Sequence, residues 1–424
     1  GVPMELQPVF YNRLSKRNEV FVSRNGNTVK LFTCGPSVYR KPHLGNFRTF
    51  LFEDILQKYL EYIGYTVERV INFTDLEDKT IQQAQDDNAS IHEVTEPVAE
   101  YFHKKCDELG ITLPEEIPRS TTSVEQSVKL IKMLLDKGIA YWHKGNVYFD
   151  PLKYEGFGQV FGLDMSKWPK KRYRFSKDTY NGHRWNLGDF ILWHGNSNDE
   201  GMHWDTELGK GRPAWNVQDP AMITQTLGYE IDIHTGGIDN IYRHHDYNRA
   251  IVEAASGKEF CPYWMHGEHL IVNGEKMSKS KGNTLYAEDM YKKGYSAKRV
   301  RFFLSYGYYR RQLNITPGFL EEASAQHERF QTLASALTEG EASAADTTQH
   351  TDKLIAEIEP LFSIKMHNDL HVKEAVDSII NLLEEIEKRK QKEGISPGQQ
   401  TRIRTSLENI DTVLGFIFER TMHG

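Results

Sequence analysis

Apolar positions along this chain change period several times, and each change marks an element. VKLFTC, from Val29 to Cys34, is a short β-prone run closed by Gly35-Pro36, which predicts a buried strand ending in a turn. Phe47, Phe50, Leu51, Ile55, Tyr59 and Leu60 then recur at helical spacing until Gly64, so a helix is predicted to open at Pro42-His43-Leu44-Gly45-Asn46. A second β-prone run, TVERVINFT, follows at once. Strand, helix and strand of this size make a βαβ unit, hence an open parallel sheet with ligands at the carboxyl ends of its strands.

Residues from about 90 to 145 read as helices, and from NVYFD to about 212 the pattern is irregular and rich in Trp, Gly, Lys and Asp, as an insertion would be. Parallel-sheet signals return with EIDIHTGG (230–237) and EHLIVNG (268–274). Beyond about 285 the spacing is helical, broken by TEGEASAADTTQHTD (338–352), whose near lack of apolar residues reads as a linker. The predicted fold is α/β: a Rossmann-type parallel-sheet catalytic domain with an inserted connective domain, followed by a helical C-terminal domain. Its expected segments are 1–140 and 215–285 for the two catalytic halves, 141–214 for the insertion, 286–337 for a helical stem, 338–352 for the linker and 353–424 for a helical bundle.

Composition narrows the class. A chain of 424 residues, 39% hydrophobic and 26% charged, can bury a large core. No run of about 18 apolar residues occurs, and the start GVPMELQPVF lacks a basic region followed by an apolar stretch, so the expectation is a cytoplasmic protein without membrane spans, monomeric or homodimeric. Three scattered cysteines, Cys34, Cys106 and Cys261, make no disulfide framework and leave room for one as a metal ligand. A net charge of -7, from 52 basic and 59 acidic residues, gives no global attraction for polyanions.

Two motifs carry chemistry. PHLGN (42–46) sits where a strand-turn meets a helix start, and activating a carboxylate with ATP builds negative charge on the α-phosphate, which a helix N-terminus stabilises through its amides and dipole. His43 and Asn46 add polar side chains there, and Gly45 permits close approach of the nucleotide. Lys276-Met277-Ser278-Lys279-Ser280, continuing as Lys281-Gly282-Asn283, is a cationic loop suited to the leaving pyrophosphate. Either alone reads equally as a helix cap or a solvated surface run. Their occurrence in order, each at a sheet edge, is what gives them weight.

The pair resembles the two signature motifs of class I aminoacyl-tRNA synthetases. TCGPSVYRKPHLGNFRTF, INFTDLEDKTI, GRPAW, IDIHTGGIDNIYRHH, YWMHGEHLIVNGEKMSKSKGN and FLSYGYYRRQLN are similar to blocks of cysteinyl-tRNA synthetases across roughly residues 20 to 320, and more faintly around Lys365 to Leu370. The resemblance implies an adenylate-forming ligase using ATP with Mg2+. His43, Asn46, Lys276 and Lys279 would be catalytic, and Gly45, Gly236, Gly237, Asp239, Met277 and Ser278 would complete the ATP site with the two lysines. The family carries a second His where Asn46 stands. Cys34, Gly35, Thr74, Trp215, Asp219, His234 and His244 would line the amino-acid site. For His234 and the two glycines, a strand-to-turn packing role stays open.

The family also holds a zinc through two Cys, one His and one Glu, at positions matched here by Cys34, Asp219, His244 and Asn248. Cys34, Asp219 and His244 could still ligate zinc with an open position, whereas Asn248 is a poor ligand. Zinc selects a thiolate directly, so either cysteine or another small amino acid is the substrate. The alternative is that Asp219 and Asn248 hydrogen-bond each other. On the acceptor side the chain reads as lacking the family's anticodon-binding domain, similar to the cysteine ligase of mycothiol biosynthesis, which favours a small amine over tRNA. Against that stands the basic run Lys170-Lys171-Arg172-Tyr173-Arg174. A tRNA-charging enzyme and a catalytically silent sensor remain the alternative readings.

Overall fold

In the computed structural model, residues 7–167, 189–195, 202–342 and 349–419 are described. The elements in chain order begin with a hairpin, β1 (Val9–Asn12) and β2 (Arg17–Val20), then β3 (Thr28–Thr33), α1 (Leu44–Tyr62), β4 (Thr66–Ile71), α2 (Asp78–Asp86), α3 (Ile91–Glu108) and α4 (Val124–Asp136). Next come β5 (Ala140–His143), β6 (Asn146–Phe149), β7 (Phe190–His194), β8 (Trp204–Thr206), β9 (Gly209–Pro213), α5 (Trp215–Thr226), β10 (Ile233–Gly237), a π-helical turn (Ile241–His245), α6 (Asp246–Ser256) and β11 (Tyr263–Gly267). The chain continues with β12 (Leu270–Val272), β13 (Glu275–Lys276), α7 (Ala287–Lys292), α8 (Ala297–Ser305), β14 (Leu313–Ile315), α9 (Pro317–Thr338), α10 (Gln349–Ala356), α11 (Ile358–His367), α12 (Val372–Glu393) and α13 (Pro397–Leu414).

The central sheet is four-stranded and parallel, ordered β11-β10-β3-β4. Sequence order reverses at β3, whose neighbours are β4 on one side and β10 on the other, so the crevice for a ligand opens past the carboxyl ends of β3 and β10. Strand periodicity divides the side chains between two faces. On one face Phe32, His234 and Trp264 lie side by side in register, covered by α5 and α6. On the other, Thr235 meets α1, whose Phe47, Leu51, Ile55, Tyr59 and Leu60 are buried as their spacing requires.

That helix is also the link to the helical C-terminal part. Arg301 of α8, 1% exposed, donates to Asp54 of α1 (3.0 Å), to the carbonyls of Leu109 and Gly110 (both 3.0 Å) and to that of Leu414 (2.7 Å). One apolar core runs without a break from β3 and α1 through α8 and α9 to α12 and α13. Asp369, after α11, accepts hydrogen bonds from the hydroxyls of Tyr308 and Tyr309 and from the amide of Tyr11, tying the SYGYYRR segment to the N-terminal hairpin.

Four expectations change. EHLIVNG does not return to the parallel sheet: the edge strand is Tyr263–Gly267, and β12 lies in a separate three-stranded sheet with β13 and β14. The stretch beyond 285 is not wholly helical, since Leu313–Ile315 pairs parallel with β12. The irregular insertion contains an antiparallel sheet ordered β5-β6-β7-β9-β8 whose first strand begins at Ala140; strands of three to five residues are too short to show their period. The linker is shorter than its composition suggested, for α10 starts at Gln349 and buries Thr351 despite its polarity. The basic run from Lys170 to Arg174 falls outside the described residues. No described helix is long and apolar enough to cross a membrane.

Candidate active site

A cavity of about 550 Å³ opens at the crevice. Cys34 and Gly35 reach it from the end of β3, His43, Gly45 and Asn46 from the start of α1, Gly237 and Asp239 from the end of β10, Lys276 from the end of β13, and Met277, Ser278 and Lys279 from the loop that follows. The two motifs, more than two hundred residues apart in the chain, thus face one space.

At the helix start His43 is the N-cap, its Nδ1 accepting from the Asn46 amide (3.3 Å), while Asn46 Oδ1 accepts from the His43 amide (3.0 Å). This reciprocal capping box satisfies two amides of the first turn. It also sets the tautomer of His43, because an accepting Nδ1 leaves the proton on Nε2 as a donor. Burial, reinforced by nearby Arg40, lowers the pKa of His43, so the ring is neutral and donates without carrying charge. A second His at 46 is therefore not required for the cap: an amide oxygen serves. A Cβ on Gly45 would lie 2.9 Å from the His43 ring and 3.0 Å from the Met277 methyl, so this glycine lets the helix start and the loop touch, in addition to whatever room it leaves a nucleotide.

Asn283 shapes the cationic loop: its Oδ1 accepts from the Ser278 amide (2.8 Å) and its Nδ2 donates to the Lys276 carbonyl (3.1 Å). Both lysines are solvent-exposed and line the cavity. Gly237 lines it as well, whereas Gly236 does not; a Cβ there would stand 2.6 Å from the His245 ring, so Gly236 is needed for packing.

Behind Cys34, outside the residues that line the cavity, lies a polar and largely buried cluster. Asp219 Oδ1 accepts from Asn72 Nδ2 (2.8 Å), and its Oδ2 lies 2.8 Å from His244 Nε2 and 3.8 Å from Cys34 Sγ. Asn72 Oδ1 in turn accepts from the Gly35 amide (2.8 Å), so one asparagine positions both the carboxylate and the turn. Although burial opposes it, the Asp219 carboxylate raises the pKa of His244 and favours an ion pair. Burial pushes the Cys34 thiol well up, with Asp219 adding to the effect. Trp215 stacks on His244 with ring centres 5.7 Å apart, and Thr74 bridges to Ser37 beside the turn. His234 is fully buried one layer below the cavity, between Phe32, Trp264 and His245. Asp219 and Asn248 do not bond each other: Asn248 turns to His234 Nε2 (3.2 Å), because Asn72 and His244 already occupy the carboxylate.

Donor atoms of Cys34, Asp219 and His244 lie within 4.8 Å of one another, and so do those of Cys34, His234 and His245. The first set, a thiol, a carboxylate and an imidazole, fits the three protein ligands of a zinc site with an open position. The fourth position implied by resemblance, Asn248, is directed elsewhere. Sequence reasoning missed Asn72, Glu77 and His245. Glu77 lines the cavity and accepts from the Ser37 hydroxyl (2.6 Å), its pKa raised by burial. All three lie inside quoted blocks, but only the fold shows which way they face.

Comparison with known proteins points to one family. A family model described as the catalytic domain of class I (C) tRNA synthetases matches residues 20–325. The "Cysteine--tRNA ligase" of Chlamydia pneumoniae is 37% identical over 415 residues, covering 96% of this chain and 86% of the relative; that of Brachyspira hyodysenteriae is 36% identical over 383 residues, covering 89% and 80%. Among solved structures, a Mycobacterium tuberculosis methionyl-tRNA synthetase in complex with methionyl-adenylate aligns with a TM-score of 0.65 at 15% identity, covering 92% of this chain and 90% of that one. At that identity the likeness concerns the fold alone.

Proposed function

This chain belongs to the class I (C) tRNA synthetase family of ligases, and from that premise we propose that it activates a small amino acid, cysteine or a related one, as its aminoacyl-adenylate and passes it to an amine acceptor to form an amide. The observation that carries the activation step is the convergence of the α1 start, the lysine loop and Cys34 on a single cavity. In that step a carboxylate oxygen attacks the α-phosphorus of ATP, the bond to pyrophosphate breaks, and Mg2+ accompanies the nucleotide. His43 Nε2–H, the Asn46 side-chain Nδ2 and the α1 N-terminus meet the charge building on the α-phosphate, while Lys276 and Lys279 draw it off through the leaving pyrophosphate. Asp239, with the backbone at Gly237, takes the adenosine end.

Gly35, Thr74, Trp215, Asp219 and His244 receive the amino acid, and His234 supports them from beneath. Cys34, Asp219 and His244 would hold a zinc-class ion, which when bound supplies direct selection of a sulfur-bearing side chain. Without it, the Asp219–His244 pair offers charge and a hydrogen bond to another small polar side chain.

The amine acceptor rests on the net charge of -7, which gives no general attraction for a polyanion. A second reading, transfer to tRNA, is favoured by the relatives' printed name. Amino-acid-dependent exchange of pyrophosphate into ATP, run with the twenty amino acids and common analogues, tests activation; no exchange with any refutes it. Acid-labile attachment of the exchanging amino acid to total tRNA would replace the amine acceptor with tRNA.

A further inference from the structure

Cys34 belongs to two triads, and the second is deeper than the first. We propose that Cys34, His234 and His245 form an inner seat for a zinc-class divalent ion, distinct from the outer set of Cys34, Asp219 and His244 and competing with it for the same thiolate. Occupancy of the seat does not depend on activation of the amino acid, whereas its consequence for side-chain recognition rests on that reading.

The geometry of the three donors is close to what a small tetrahedral ion needs. Zinc–sulfur and zinc–nitrogen bonds place adjacent ligand atoms about 3.5 Å apart. Cys34 Sγ already stands 3.2 Å from His245 Nε2, and a ring nitrogen of His234 lies within 4.8 Å of both other donors. Each imidazole is fixed by packing. His245 presents Nε2 to the sulfur while its Nδ1 is held from behind by His266 Nε2 at 2.7 Å, the kind of outer contact that orients a metal-ligating histidine. His234 stacks on Trp264 with centres 4.4 Å apart and meets Phe32 edge-on.

Two further observations favour the inner seat. His234 Nδ1 is buried without a hydrogen-bond partner, and a buried polar atom in that state favours a ligand that satisfies it. The outer carboxylate is committed to Asn72 and His244, so an ion there must displace contacts that the inner seat leaves intact. The local backbone makes both seats available. Consecutive residues on an α-helix point in different directions, but the π-helical turn Ile241–His245 is wider, and His244 and His245 both reach Cys34. With the ion inside, the Asp219–His244 pair faces the amino acid; with it outside, a Lewis acid does. The seat thereby selects which chemistry reads the side chain.

The test uses the full chain, stripped with a chelator and reloaded with zinc or cobalt(II) salts, in a background where the outer set is disabled by Asp219→Asn and His244→Gln together. The expected result is about one metal per chain by elemental analysis, with a thiolate-to-cobalt absorption band. Adding Cys34→Ser, His234→Gln or His245→Gln to that background should each lower metal binding at least tenfold. Absence of metal from the outer-disabled protein overturns the proposal, as does unchanged loading in the presence of His245→Gln. If a histidine variant fails to fold, the outer-disabled protein and its cobalt spectrum still decide. Pyrophosphate exchange, measured on the unsubstituted chain after the same metal removal and with Mg2+ restored for ATP, reports separately on amino-acid activation.

Discussion

Glu53 lies at the centre of α1, fully buried against β10, with Oε2 accepting from the Thr235 hydroxyl and Oε1 without a partner. Burial raises its pKa from 4.5 to about 7, the charge of Arg69 and the Thr235 bond only partly opposing this. The folded state therefore holds a proton that the unfolded chain releases near 4.5. Stability from this group is complete below about pH 4.5 and is lost as pH rises through 7. The shift of 2.5 units, at 1.36 kcal/mol each, is worth roughly 3 kcal/mol. Glu53→Gln keeps the shape and the acceptor for Thr235 but cannot ionise. Urea unfolding of the two proteins in parallel should give equal stabilities at pH 4.5 and a difference that grows in favour of the variant, approaching roughly 3 kcal/mol at pH 8. Taking the difference cancels other titrating groups. A difference that stays flat from pH 4.5 to 8, or a variant less stable at pH 8, refutes the reasoning.

Lys279→Ala should lower the rate of pyrophosphate exchange about 100- to 1,000-fold with little change in the amino-acid KM, since the lysine meets charge that develops only as pyrophosphate leaves. Arg301→Ala strands Asp54 in the core and should cost about 3 to 5 kcal/mol in unfolding experiments, with the helical part loosening first in hydrogen exchange. Gly35→Ala would put a methyl 1.6 Å from the Asn72 carbonyl oxygen, forcing the turn away from β4 and breaking the Gly35–Asn72 bond. The expected loss is at least about 2 kcal/mol, read as a lower midpoint of thermal unfolding.

By itself the sequence determined the elements whose signals are local. The period of Phe47 to Leu60, closed by Gly64, specifies α1; the run from Val29 to Cys34 specifies β3; the cap at His43 needs only residues three apart. Likewise the lysine loop is legible as chemistry because its character lies in consecutive residues. Tertiary structure alone decided what depends on residues distant in the chain. Tyr263–Gly267 gives no clearer strand signal than Leu270–Val272, and only pairing with β10 distinguishes the sheet edge from a strand of a different sheet. The direction of Asn248 follows from Asn72, 176 positions earlier, having already satisfied the carboxylate that Asn248 was expected to meet. His245 adjoins His244 in sequence, and a regular helix would have carried it away from Cys34. The π-helical turn keeps it there, and such a widening is set by packing against the buried face of the sheet, which no local pattern records.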